Sequence, residues 1–214
     1  MSLYTELEDL GRRRLSTSFF MRDFLYSEIA NAHPMTNVPK DIELAVKNGK
    51  VLCEELLEPL TQAFGRVCVR SGYRSEAVNG EGHLAGNMNC ASNESNFGAH
   101  IWDVPHATTG NGAMACIVIP TIADLERDNR EIWKELGCWI HDHLPAYKTA
   151  WFFTKLCAFN IGWSEGGEKL IRRQGESTLY NEAKGQRIST FGPEAYPTLI
   201  PLVAPGFNSR SLSL

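Results

Sequence analysis

The residues best suited to chemistry in this chain gather around one arginine. Ser71-Gly72-Tyr73-Arg74-Ser75 places a guanidinium beside a phenol and two hydroxyls. An Arg at a strand end among such groups suits a carboxylate or a developing oxyanion, because its planar fork offers parallel charge-assisted hydrogen bonds. The competing use of Arg74 is structural, tying its loop to backbone carbonyls. A second group, His141-Asp142-His143, stands just before Pro145. Two imidazoles around a carboxylate can bind a metal or pass protons, while a cationic His at a helix C-terminus is stabilising for dipole reasons alone. His33, His83 and His106 stand alone and read as surface or loop residues. Cys90, in an Asn-rich stretch, reads as the most exposed cysteine, and a Cys90–His nucleophilic pair is the minor alternative there.

These residues need a scaffold, and its punctuation is readable. Residues 18–32 carry Phe20, Phe24 and Leu25 on one face, predicting a short helix with Ser18 as its N-cap. After a Pro-containing turn at 37–41, the stripe Ile42, Val46, Gly49, Cys53, Leu56, Leu57 and Leu60 predicts a longer helix that Pro59 kinks or restarts. Phe64-Gly65 closes it, and Arg66–Arg70 alternates in polarity like a strand. Residues 79–99 are rich in Gly, Asn and Ser and read as a long loop. Residues 100–104 and 115–119 read as strands, 124–143 as a helix, and 150–163 as a final strand. That order predicts an α+β fold, a small antiparallel sheet flanked by helices.

The last fifty residues change character: 166–187 is charged and Gly-containing, and Pro193, Pro197, Pro201 and Pro205 then recur every four residues. No helix survives that spacing, so the expected organisation is a domain over 1–165 and, over 166–214, a charged linker with an extended Pro-rich C-terminal arm. The arm's apolar residues would strap their own domain or dock on another subunit. The whole chain has 214 residues, 43% hydrophobic, with a net charge of −4. This composition rules out a wholly disordered chain and offers no basic footprint for nucleic acid. Six widely spaced Cys without a Cys-x-x-Cys pair read as buried free thiols. With no leader pattern and no apolar run of membrane length, the expectation is a cytoplasmic protein with no membrane partner.

The words Leu57-Glu58-Pro59-Leu60, Phe64-Gly65, Ser71–Ser75 and Val78-Asn79, with Leu15-Ser16-x-x-Phe19 upstream, come in the order found in a known family. Over residues 15–165 the chain resembles the zinc D-alanyl-D-alanine carboxypeptidases of the hedgehog/DD-peptidase fold. The resemblance implies that Arg74 binds a substrate carboxylate, with Ser71 and Tyr73 beside it. It also implies zinc, held by a His, an Asp and a second His. The first matching stretch reads Glu94-x-Asn96-x-x-Ala99-x-Ile101-x-Asp103, so Asp103 keeps its place while Asn96 stands where a His is expected. His100 could substitute, although strand positions 100 and 103 point to opposite faces. In Ile161-Gly162-Trp163-Ser164-Glu165, Ser164 replaces the last His and Ile161 occupies the general-base position, leaving Glu94 and Glu165 as replacement acids.

The chain is also similar to a divergent bacterial branch of this fold, on Asn89–Glu94, His100–Asp103, Trp139–Pro145 with Ala146 inserted before Tyr147, and Trp163-Ser164-Glu165. That branch implies a relocated metal set of Asp103, His100, His141 and His143. The expected function is a pocket for a peptide or small carboxylate, with Arg74, Asp103 and Glu165 as catalytic candidates and Asn96 among the binding residues. The cofactor is either none or a single divalent metal, zinc. The alternatives are a metal-dependent hydrolase on the relocated ligands, and an assembly protein whose arm joins homo-oligomers.

Overall fold

The computed structural model describes residues 3–86, 90–176 and 178–207. Asn89 of the Asn-rich motif and the arm beyond residue 207 lie outside them. The chain is mixed α/β, with a six-stranded, mostly antiparallel sheet. It divides into two units, Met1–Glu54 with Ser71–Ala115 and Trp163–Gly167, and Glu55–Arg70 with Cys116–Gly162 and Glu168–Leu214.

The first helices are α1 (Leu3–Gly11), α2 (Arg22–Leu25) and α3 (Glu28–Ala32). The single helix expected over 18–32 is therefore two. Tyr26 is extended, and the Ser27 hydroxyl accepts the Ala30 N–H at 3.3 Å, so the cap falls at Ser27 rather than Ser18. The long amphipathic helix is present as α4 (Ile42–Leu52), capped by the Asp41 carboxylate on the Leu44 N–H at 2.9 Å, then a π turn over Cys53–Leu57 and α5 (Glu58–Phe64). Pro59 sits in the first turn of α5, where a missing N–H leaves no bond unmade, and Gly65 ends the helix at φ +82°.

In the first unit the core of Leu15, Phe24, Val46, Tyr73 and Trp102 is fully or nearly fully buried. Gly49 lets α4 close on it: a Cβ there would meet the Trp102 ring at 2.8 Å. The stretch expected as a loop over 79–99 contains α6 (Glu76–Leu84) and α7 (Asn93–Asn96), started by Ser75 and Ser92 hydroxyls on the backbone three residues on. Residues 100–104, expected as a strand, belong instead to a run of turns beginning at Gly98; Gly98 at φ +63° donates its N–H to Val104 O, and Ile101 N–H returns to Asn96 O.

The strands are β1 (Cys68–Ser71), β2 (Gly112–Val118), β3 (Thr149–Phe152), β4 (Phe159–Ser164), β5 (Leu170–Arg173) and β6 (Thr178–Asn181), in the order β1-β2-β4-β3-β5-β6. The run expected as one final strand is the β3–β4 hairpin, and the stretch expected as a charged linker carries β5 and β6. β3 and β5 pair in parallel, with Trp151 opposite Arg172, whose guanidinium lies 3.8 Å over the Trp151 ring. Period two puts Ile171 and Arg173 on the other, buried face.

In the second unit the helix expected over 124–143 is α8 (Pro120–Leu125) and α9 (Ile132–His143), broken where the Asn129 side chain accepts the Glu131 N–H. Gly137 of α9 lies against β5 and β6, where a Cβ would meet Ile171 and Leu179 at 2.9 Å. The arm, expected to be extended, is instead a run of short turns over its described residues: 3-10 turns at Pro193–Ala195 and Ile200–Leu202, joined by a turn that Leu199 N–H closes on Tyr196 O, because prolines are tolerated at the first positions of such turns. All six cysteines are free, and among the described residues no helix is long and apolar enough to cross a membrane.

Two features of the second unit carry strain or buried charge. The β3–β4 turn, closed by Ala158 N–H on Lys155 O, puts Leu156 at φ +60° and Cys157 at φ +44°, a left-handed pair that ordinarily calls for Asn-Gly. Behind it, Glu126 bonds Arg173 Nη2 at 2.7 Å and accepts the Cys157 N–H at 2.6 Å, while Arg173 Nη1 donates to Arg130 O. Both side chains of the pair are almost wholly buried. Removing one partner of such a pair strands the other charge in the interior, so Arg173→Met should cost about 3–5 kcal/mol in urea unfolding. Recovery of most of that loss in an Arg173→Met, Glu126→Gln double variant is also expected, since the amide oxygen still accepts the Cys157 N–H.

Candidate functional site

The first unit presents Tyr73 and Arg74 just beyond β1, whose last residue is the half-buried Ser71. Two backbone-linked hydrogen bonds fasten this segment to the 98–103 turn. Arg74 N–H donates to His100 O at 2.8 Å, and His100 Nδ1 bonds Gly72 O at 2.8 Å. A carbonyl can only accept, so Nδ1 carries a proton and donates it. The Tyr73 hydroxyl donates to Asp103 Oδ1 at 3.0 Å. Asp103 Oδ2 accepts the Lys40 and Asp41 N–H groups, at 2.8 and 3.4 Å, at the start of α4. Burial and the Asp103 charge hold the Tyr73 phenol above its ordinary range, so it stays protonated and donating.

The Arg74 guanidinium is half-buried, and its Nη1 is oriented by Asn79 Oδ1 and Cys90 Sγ, each at 3.0 Å. Asn79 is in turn held by Ala91 O and Asn93 Oδ1, and Asn93 reaches back to Glu76 O. Asn37 completes the frame: its amide donates to Tyr73 O and Leu25 O and accepts the Ser75 N–H. Sequence reasoning assigned no role to Asn37, Asn79 or Asn93. The available signal was an Asn on either side of the Tyr73-Arg74 motif, in segments with little periodicity of their own. Cys90 is half-buried, and His83 meets its carbonyl oxygen rather than its sulfur.

The remaining candidates divide between the units. In the first, Asn96 is buried, with its amide nitrogen on Ala91 O and Ser92 O. The Glu165 carboxylate is bonded by Asn111 through both side chain and backbone, which lowers its proton affinity. His141 and His143 belong to the second unit, at the end of α9. His141 Nε2 donates to Ile188 O at 2.7 Å, so Nδ1 is the acceptor for the Tyr147 hydroxyl at 2.6 Å, and both ring nitrogens are engaged. His143 Nε2 lies 3.3 Å from the Tyr196 hydroxyl, while its Nδ1 is buried without a hydrogen-bond partner among the described residues. Among the described residues no three His, Cys, Asp or Glu side chains gather as a metal would need.

Both ends of α9 hold the arm. Asp142 in the last turn accepts the Phe191 and Gly192 N–H groups and the Tyr196 hydroxyl, and Glu135 in the first turn accepts the Thr198 N–H and hydroxyl at 2.8 Å each. Ala204 N–H bonds Ala63 O in α5, and Leu199 is fully buried. No protein-family model, curated protein or solved structure matches this chain.

Two outcomes follow from this geometry. Asp103→Ala strands the buried Tyr73 hydroxyl and two N–H groups, and should cost about 2–4 kcal/mol in denaturant titration. Tyr73→Phe leaves the carboxylate its backbone donors and should cost only about 1 kcal/mol. Burial depresses both His141 and His143, so the unfolded chain binds their protons first as pH falls. Their contribution to stability is complete above about pH 6.5 and is lost below it. Urea midpoints should therefore decline from pH 7 toward pH 5, by at most about 1.4 kcal/mol per pH unit for His141 and less for the better-solvated His143. A flat profile over that range would contradict the neutral, buried assignment.

Proposed function

We propose that the first unit binds a peptide or small molecule through a carboxylate group, recognised by Arg74, in a divergent D,D-peptidase-like chain. The observation that carries this reading is the mounting of Arg74. Its backbone is fastened to His100, and its guanidinium is oriented by Asn79 Oδ1 and Cys90 Sγ, which fix the direction of the fork. The fold-level support is the order of parts: a helix restarted at Pro59, a strand, Tyr73-Arg74 at its end, then the His100–Asp103 turn and an antiparallel sheet. Asp103 acts here as a positioning residue, holding Tyr73 and the start of α4.

The resemblance also implies zinc, and the residues at the implied positions do not fit it. Asn96 turns its amide nitrogen into its own turn, Ser164 donates its hydroxyl to Gly166 O at 2.6 Å, and Asp103 accepts three protein donors. A relocated site with His141 would need a ring nitrogen that Tyr147 and Ile188 already occupy. No metal-dependent step is therefore derived, and the reading is one of recognition.

The test uses an N-acetylated D-alanyl-D-alanine dipeptide and its C-terminal amide, with binding followed by ligand-observed NMR. The free acid should bind with a dissociation constant of about 1 mM. The amide should bind at least about tenfold more weakly, and Arg74→Gln should abolish the difference. Arg74→Lys, which keeps the charge but not the fork, should fall between them with an unchanged thermal midpoint. Equal binding of acid and amide, or discrimination that survives Arg74→Gln, would overturn the proposal.

A further inference from the structure

The second unit contains an open cavity of about 400 Å³ that none of the residues discussed for recognition lines. Three segments meet there: Arg70 at the end of β1, the stretch from Ala123 in α8 to Arg130, and Thr154–Leu156 of the strained β3–β4 turn. Arg70, Arg127, Arg130 and Lys155 stand at its wall, all exposed. Only Arg127 has an ion-pair partner among the described residues, Asp124 at 3.3 Å, and both of those side chains are well solvated. Asp128 is exposed in the same turn but does not line the cavity.

The one acidic residue in the lining does not neutralise this wall. Glu126 is buried, its carboxylate already bonded to Arg173 Nη2 and the Cys157 N–H. Arg173 approaches from the core and cancels the Glu126 charge there. The exposed cations thus line one concavity, with only Arg127 offset by an ion pair among the described residues, in a chain whose net charge is −4. Four cations on one small concave wall are destabilising without an anion and attractive to one that bridges them. Three of them are Arg, whose forks match phosphoryl oxygens two at a time, and Thr154 adds a hydroxyl. Leu156 and Ala123 supply an apolar edge for the rest of a ligand. The volume is that of a small-molecule site.

We propose that this cavity binds the phosphoryl or diphosphoryl group of a small molecule. The turn has a part in the site: its left-handed Leu156 and Cys157 fold the backbone back sharply beside Lys155, and the Glu126–Cys157 bond holds that shape. The site is independent of the Arg74 reading, because it lies wholly in the other unit.

The test titrates the full chain with inorganic pyrophosphate and with orthophosphate by calorimetry at constant ionic strength. Saturable one-to-one binding is expected, tighter for pyrophosphate and weakening as salt rises. Arg130→Ala and Lys155→Ala, both at exposed positions, should each weaken pyrophosphate binding about three- to tenfold with unchanged thermal midpoints. Arg127→Ala should lose less, because Asp124 already offsets that charge, and Arg12→Ala in the first unit should change nothing. No saturation up to about 10 mM pyrophosphate would overturn the proposal. So would an equal loss in Arg12→Ala, which would mark diffuse charge attraction, or a higher affinity for an oligonucleotide that pyrophosphate fails to displace.

Discussion

A carboxylate that leaves water must find its hydrogen bonds within the protein, and in the first unit that requirement falls on Asp103. Its two oxygens take the Tyr73 hydroxyl and the N–H groups of Lys40 and Asp41, from segments thirty to sixty-three residues away. The start of α4, the end of β1 and the 98–103 turn are held together by this one group. Leaving any of those bonds unmade would cost the interior a desolvated charge without full compensation. The placement of Arg74 depends on it, because Arg74 follows Tyr73 directly and shares its attachment to the turn.

The second unit solves its loop problem in the same way. Glu126 fastens the β3–β4 turn, Glu135 the Thr198 backbone, and Asp142 the backbone at Phe191 and Gly192. Carboxylates that a reader would assign to a solvated face act as clamps on distant backbone. Histidines do related work: His141 links Tyr147 to Ile188, His100 holds Gly72, and His106 Nδ1 accepts the Thr108 N–H. Six histidines suggest a metal protein by composition, yet these three rings serve as connectors.

The parts of the fold that were legible in the sequence are those with local causes. The α4–α5 helix could be read because its apolar period, Pro59 and Gly65 all act within a few residues, while the Asp41 cap passed as part of the turn before it. Ser71-Gly72-Tyr73-Arg74-Ser75 was likewise legible as a polar group at a strand end. What escaped depends on partners far along the chain. Asn37 looks like a turn former until Tyr73 and Ser75 are seen beside it, and Arg173 looks exposed until Glu126 is placed opposite. The short run at 100–104 has no distinguishing period, and Gly98 turns it away from a strand. The helices of 76–96 were hidden by Gly and Asn, although their Ser caps were present in plain view.

The clamps on α9 also set an order of events during synthesis. The second unit is assembled from residues 55–70, 116–162 and everything after 168, so its early segments leave the ribosome long before their partners. Asp142 is translated 49 residues, and Glu135 63 residues, ahead of the N–H groups that will bind them. Until those arrive, both acidic residues, in the first and last turns of α9, are without these partners. A nascent chain that ends between Pro145 and Ile188 thus has α9 without the N–H groups that Asp142 and Glu135 clamp, and those bonds form only once the 191–198 segment has emerged.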